Sequence, residues 1–307
     1  MKLWQTPRTG MAVALMLIFG YQVIASASAV HSPDPRLVAL VPPDSQIIAG
    51  ANAPSKVLRR ANFMIITQTN RTDFEDFLAL TGSDSSRVIH QVIFAAAAKP
   101  GGGPPEHSLL VTGHFDTSRI FRSSEGDSNS IQYRGIAVLF VHSFERESAF
   151  FKDERLLAII DSRVAVFGTI ASVKQEIDRY LTGAAPDAFI TQRLELLRGG
   201  DETWCLISPL KLGAEIAPIL GKLDPVLGEI VKKGNNFQFG IRYGRRVEFE
   251  YAVDVPVRPD AEDISSPQIE GFSFTPRSAT VPAVGFRGIV KTSRSKYDKW
   301  LSELSSH

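Results

Sequence analysis

The chain has 307 residues, of which 44% are hydrophobic and 22% charged. That is a globular composition, long enough for one large core or two moderate ones, and it excludes a chain disordered throughout. Lys and Arg number 34 against 33 Asp and Glu, so no global field draws in nucleic acid or anionic lipid, and the lone cysteine, Cys205, excludes an intramolecular disulfide.

Lys2 and Arg8 precede an apolar run from Met11 to Ile24 that ends in Ala27-Ser28-Ala29. A basic start, an apolar core and an Ala-x-Ala site are the three parts of a secretory signal peptide, with cleavage expected after Ala29. The alternative is an uncleaved anchor holding the protein at the inner membrane through residues 11–29, although the apolar run is shorter than the ~20 residues of a usual span. Cleavage removes Lys2 and Arg8 and no acidic residue, turning the net charge from +1 to −1. Export with a single thiol suits a bacterial periplasmic or extracellular protein stabilised by packing, with no transmembrane core after cleavage.

From His31 to Pro43 the chain is punctuated by proline and then enters a strand, Gln46 to Ala49, ended by Gly50. Pro54 suits the first turn of a helix through Val57, Leu58 and Ala61. A second helix, Thr72 to Leu80, is marked by a Thr72/Glu75 capping box, a Phe74, Phe77, Leu78 stripe and a Gly82 stop. Val88 to Ala98 reads as a strand. The loop Gly101-Gly102-Gly103-Pro104-Pro105 lacks the Lys-Ser/Thr pair and helix start of a phosphate cradle. The strand Leu109 to Thr112, a short helix at Thr117 to Phe121 and the strands Ile131 to Tyr133 and Ile136 to His142 follow.

Between Arg155 and Gly183 the pattern is cleanest. Leu156 to Ile160 and Val164 to Phe167 flank the polar turn Asp161-Ser162-Arg163 as a tight hairpin. Ser172 and Gln175 predict a capping box for a helix whose Val173, Ile177, Tyr180 and Leu181 face a sheet, with Gly183 as its stop. A helix from Pro186-Asp187, a strand Thr203 to Ile207, a helix capped by Ser208-Pro209 and another restarted by Asp224-Pro225 come next. Asn236 to Tyr243 and Arg246 to Val255 alternate strictly, predicting an antiparallel hairpin with one face buried and one wet. Residues 256–280 read as a linker or surface crossing. A strand at Val284 to Val290 and a helix with Tyr297, Trp300, Leu301 and Leu304 on one face close the chain.

The expected fold is therefore α+β: mostly antiparallel sheet with helices packed on one face, in two or more related strand–helix units. The repeat shows where Ile48-Ala49-Gly50, Val111-Thr112-Gly113, Phe167-Gly168 and Ile207-Ser208 each end an apolar run at a small residue and open a helix. The expected divisions are a signal peptide at 1–29, a first α+β unit at 30–200, a second at 201–255, and a linker with C-terminal strand and helix at 256–307.

Several short pieces resemble a group of uncharacterised exported bacterial proteins: Leu40-Val41-Pro42-Pro43-Asp44-Ser45, Leu80-Thr81-Gly82, Gly113-His114-Phe115-Asp116, Tyr133-Arg134-Gly135 and Val166-Phe167-Gly168. The likeness spans roughly residues 37–255. It implies architecture and export, and it brings no reaction, ligand or functional residue with it.

Chemistry-bearing patterns are sparse. His114 and Asp116 are the one His–carboxylate couple at strand spacing, where i and i+2 share a face, so they are the candidate for a metal-assisted hydrolase; the bland reading is a surface His beside an Asp that caps the next helix. No Gly-x-Ser-x-Gly is present, and Gly126-Asp127-Ser128 lies in a polar loop. Asp127 and Asn129 lack the Gly and distal Glu of a calcium loop. The carboxylate pairs Glu145/Glu147 and Asp153/Glu154 read as solvated turns. Lys232, Lys233, Arg242, Arg245 and Arg246 predict a modest anion-attracting patch if hairpin tip and helix end lie together, or an edge strand guarded by charge. The expectation is an exported, non-enzymatic binding or scaffolding protein without cofactor or metal, whose partner is another envelope protein or an anionic envelope polymer.

Overall fold

The computed structural model describes residues 33–52, 67–82, 89–99, 105–123, 130–141, 154–197, 201, 203–208, 213–256, 269–272, 283–297 and 299. The chain divides into two compact units, whose described residues fall within 33–52 and 72–195 for the first and within 67–71 and 196–299 for the second. Every described strand pairing within either unit is antiparallel, so the α+β class expected from the alternation holds.

The first unit opens with helix α1, Pro35–Leu40, capped by Asp34, whose carboxylate accepts from Arg36 N at 2.9 Å. Pro at the first helical position costs nothing there, since its missing N–H would have no partner. The proline punctuation of His31 to Pro43 does not announce this helix. Strand β1, Ile47–Asn52, runs through Gly50 instead of stopping at it. Helix α2, Thr67–Thr81, starts five residues before the Thr72 expected as its cap, and ends as predicted at Gly82, with φ +59°. The helix expected from Pro54 to Ala61 lies outside the described residues.

Strands β2, Ile89–Ala97, and β3, Glu106–Gly113, lead to the short helix α3, Thr117–Ser123. The hairpin of β4, Ser130–Tyr133, and β5, Ile136–Val141, precedes that of β6, Arg155–Asp161, and β7, Val164–Thr169. Within this unit the sheet order is β1-β2-β3-β7-β6-β5-β4.

Helix α4, Ile170–Leu181, follows β7 directly, with Thr169 as N-cap. Ser172 is thus inside the helix and buried, and the capping box predicted with Gln175 does not form; the Ser172 hydroxyl meets that of Thr169 at 3.1 Å. The helix closes as expected: Gly183 takes φ +61°, its N–H reaches Tyr180 O at 3.1 Å and Ala184 N–H reaches Arg179 O at 2.9 Å, the two bonds of a Schellman stop. Helix α5, Ala188–Glu195, is capped by Asp187.

Side chains alternate across a sheet. The register therefore places His107 and Leu109, Arg155 and Leu157, and Phe167 on one face, and Ser108, Leu110, Val166 and Ala158 on the other. α2 covers the first face, where the Phe77 ring lies 6.4 Å from Phe167 and 6.0 Å from Phe115. Burying that one side chain contributes about 1.5–3 kcal/mol. α4 covers the second with Val173 and Ile177, and holds α1 through a 2.8 Å bond from Arg179 Nε to Ala39 O. Helices thus lie on both faces of this sheet, where the patterning predicts one. The reason is visible in the strands: β6 and β7 are buried along almost their whole length, on both sides.

The second unit contains β8, Thr203–Ile207; α6, Gly213–Leu223, with Pro218 inside it; and α7, Pro225–Lys233, capped by Asp224. Strands β9, Asn236–Tyr243, and β10, Arg246–Pro256, form the predicted hairpin. β11, Ile269–Phe272, and β12, Ala283–Ser293, complete the unit in the order β11-β12-β10-β9-β8. Two expectations change here. β12 pairs with β10 from Arg246↔Ser293 to Pro256↔Ala283, so the C-terminal strand belongs to the same sheet as the hairpin, and the stretch read as a linker contains β11. The hairpin's second face is also not wet: Gln238, Glu250, Ala252 and Asp254 are buried, the acids being paired with Arg287 and Asn236. Tyr297, from the last predicted helix, is buried with its ring 6.0 Å from that of Tyr243; Trp300, Leu301 and Leu304 lie outside the described residues.

Candidate functional site

Among the described residues of the first unit, the ionisable side chains of Asp73, His107 and Arg155 meet, all buried. β3 delivers His107, β6 delivers Arg155 and α2 delivers Asp73, one turn ahead of Phe77. His107 Nε2 lies 2.8 Å from Asp73 Oδ2, and its Nδ1 lies 3.1 Å from the Pro105 carbonyl. Arg155 Nε donates to the other carboxylate oxygen, Oδ1, at 3.1 Å. Burial alone would push the Asp73 carboxyl up, but the hydrogen bond from His107 and the charges of His107 and Arg155 outweigh it and hold it below the ordinary range. Both oxygens of Asp73 and both ring nitrogens of His107 are thereby engaged by the fold itself.

On the opposite face Ser108 donates its hydroxyl to Glu176 Oε1, while Oε2 has no hydrogen-bond partner. Full burial pushes this carboxyl well above the ordinary carboxylate value, against the bond from Ser108 and the charge of Arg179. Burial of this kind favours the protonated form over the charged one.

The sequence candidates fall elsewhere. Asp116 is the cap of α3, accepting from Arg119 N at 3.0 Å, as the bland reading has it. His114 is exposed, and its ring meets that of His90 edge-on with centroids 4.8 Å apart. Among the described residues, no group of three or more His, Cys, Asp or Glu could hold a metal ion. The expected basic patch is drawn out: Lys232 and Lys233 end α7 beside the start of β9, whereas Arg245 and Arg246 sit at the far tip, roughly 23 Å along the strand. Arg242 lies 3.9 Å from the buried Asp201. The hairpin is also no edge, because β9 lies between β8 and β10 and β10 between β9 and β12. Glu145, Glu147, Asp127 and Ser128 lie outside the described residues.

Sequence reasoning missed Asp73, His107, Arg155 and Glu176. A signal exists for two of them: Arg155 alternates in phase with Leu157 and Ile159, and Glu176 falls at i+3 from Val173, inside the apolar stripe of α4. Among the described residues no helix is long and apolar enough to cross a membrane.

No protein-family profile matches the chain, and no curated protein matches it significantly. Among solved structures it is similar to two crystal structures of TP0453. Crystal form I is 12% identical, with a TM-score of 0.44 over 91% of this chain and 99% of that one. Crystal form IV is 14% identical, with a TM-score of 0.46 over 89% of this chain and 96% of that one.

Proposed function

We propose that the chain is an exported, non-enzymatic binding or scaffolding protein of the bacterial envelope, whose partner is another envelope protein or an anionic envelope polymer. Export is supported by the basic, apolar and Ala27-Ser28-Ala29 parts of residues 1–29 and by the resemblance noted above. The non-enzymatic part is carried by one observation: at Asp73, His107 and Arg155, the cluster best equipped for acid–base chemistry, both nitrogens of His107 face acceptors of the fold. A general base must bring a free nitrogen within hydrogen-bond reach of its substrate. An imidazole held at both ends ties α2 to β3 and serves packing.

Two measurements test the reading. Intact mass of the protein recovered from the periplasm of an expressing bacterium is expected to correspond to a chain starting at Val30. Retention of residues 1–29 would instead support an inner-membrane anchor. Turnover of an ester, peptide or glycoside that disappears on substituting one polar residue, with circular dichroism unchanged, would refute the non-enzymatic part.

A further inference from the structure

We infer that His90 and His114 form a two-imidazole surface site for a borderline divalent transition metal ion, of the Cu2+, Ni2+ or Zn2+ class. Three features of the fold build it, and none depends on the reading above. First, the β2–β3 register steps from Ile89↔Gly113 to Gln91↔Thr112, so His90 is the extra residue of a β-bulge. A bulge leaves its residue without a cross-strand partner and re-aims its side chain. Second, His114 is presented on a pinned segment: Gly113 N–H and Phe115 N–H, on either side of it, donate to Arg163 O and Ser162 O, each at 2.9 Å. That β6–β7 turn is itself fixed by Asp161, which accepts from Arg163 N at 2.6 Å and Val164 N at 2.8 Å.

Third, the two rings meet at a right angle with centroids 4.8 Å apart, and both residues are exposed. Two exposed imidazoles at that separation can turn about their side-chain bonds to offer one nitrogen each to a single ion, while water fills the remaining positions. Imidazole pairs prefer these metals to Mg2+ or Ca2+, and Cu2+ leads the order. Asp116, spent on capping α3, is not a ligand in this arrangement.

The experiment titrates the full-length purified protein with CuCl2, NiCl2 and MgCl2 by isothermal calorimetry, beside His90→Ala, His114→Ala and the double variant. Electron paramagnetic resonance of the Cu2+ complex counts the bound nitrogens. The inference expects one Cu2+ per chain on two imidazole nitrogens, no Mg2+ binding, and at least about tenfold weaker Cu2+ binding in either single variant, since even changes outside the ligand shell cost 10–100-fold at metal sites. Cu2+ bound equally well by the double variant would place the ion on other histidines and overturn the inference, as would the absence of binding by the unaltered chain. Both side chains are exposed, so the variants keep the fold, which circular dichroism checks.

Discussion

Ser108 donates a hydrogen bond to Glu176, 68 residues further along the chain, while its neighbour His107 bonds to Asp73 on the opposite face of the same sheet. Two adjacent residues of β3 thus anchor two buried carboxyls with opposite proton preferences. Glu176 is held above its ordinary value of 4.5 by burial, so the folded state keeps a proton that the unfolded state gives up. Its contribution to stability is fully present below that ordinary value and is lost as pH rises through the folded one. Glu176→Gln keeps an acceptor for Ser108 and carries no charge. The variant is expected to be at least as stable as the parent near pH 4, and increasingly more stable as pH rises. Urea midpoints at several pH values check this; parallel curves for the two proteins would refute it.

Asp73 behaves in the opposite sense. Its folded value is lowered from 3.8, so its contribution is present above that value and is lost as pH falls through the folded one. Asp73→Asn removes the carboxylate that His107 and Arg155 both address. The expected cost near neutral pH is about 3–5 kcal/mol, the usual consequence of breaking a buried charge pair from one side. Replacing all three groups together, as Asp73→Leu, His107→Phe and Arg155→Met, is expected to cost far less, because apolar residues of similar volume need no desolvation. Chemical denaturation of both variants separates an ionic clamp from simple packing: the triple variant should be the more stable.

How much of this was legible depends on what signals a residue sends locally. Alternation and turn residues carried the strands and hairpins, including β6–β7 and β9–β10, because a half-buried pleat imposes its period directly. Caps were read unevenly. Asp224-Pro225 reads as a helix start, whereas Asp34-Pro35, the same pair ahead of α1, is hidden among the prolines around it. Ser172-x-x-Gln175 imitated a capping box, yet the strand β7 runs straight into α4 at Thr169 and leaves Ser172 inside. The buried ions send weaker signals for a different reason. Arg155, Asp73 and Glu250 are ordinary surface types, and only partners distant in sequence, His107 and Arg287 among them, make their burial tolerable.

Asp224 offers a test of helix capping without any buried charge. Its carboxylate accepts from Val226 N at 2.8 Å and Leu227 N at 3.0 Å at the open end of α7. Asp224→Ala is expected to cost about 1 kcal/mol, with Asp224→Asn or Asp224→Ser recovering most of it. Thermal denaturation of the three variants checks the ranking; equal stability of Ala and Ser would mean that the cap contributes nothing.

Gly168 and Gly135 should respond differently to the same added methyl group. Gly168 lies on β7 where a Cβ would sit 2.3 Å from His107 O and 2.6 Å from Ser108 Cα, so both obstacles are backbone of the neighbouring strand and cannot swing aside. Gly168→Ala must force β3 and β7 apart at the point where the His107 and Ser108 clusters meet, an overpacking cost of about 1–3 kcal/mol or more. Gly135 has φ +83° in the β4–β5 turn, with nothing within 4 Å of its virtual Cβ. Its neighbour Arg134 also has positive φ, at +49°, the pairing of a tight primed turn. Gly135→Ala therefore pays only local backbone strain, about 1–2 kcal/mol. Hydrogen exchange distinguishes the two mechanisms where total stability does not: Gly168→Ala should speed exchange at Leu109 and Leu110 in the middle of β3, whereas Gly135→Ala should leave those amides protected and loosen only β4 and β5.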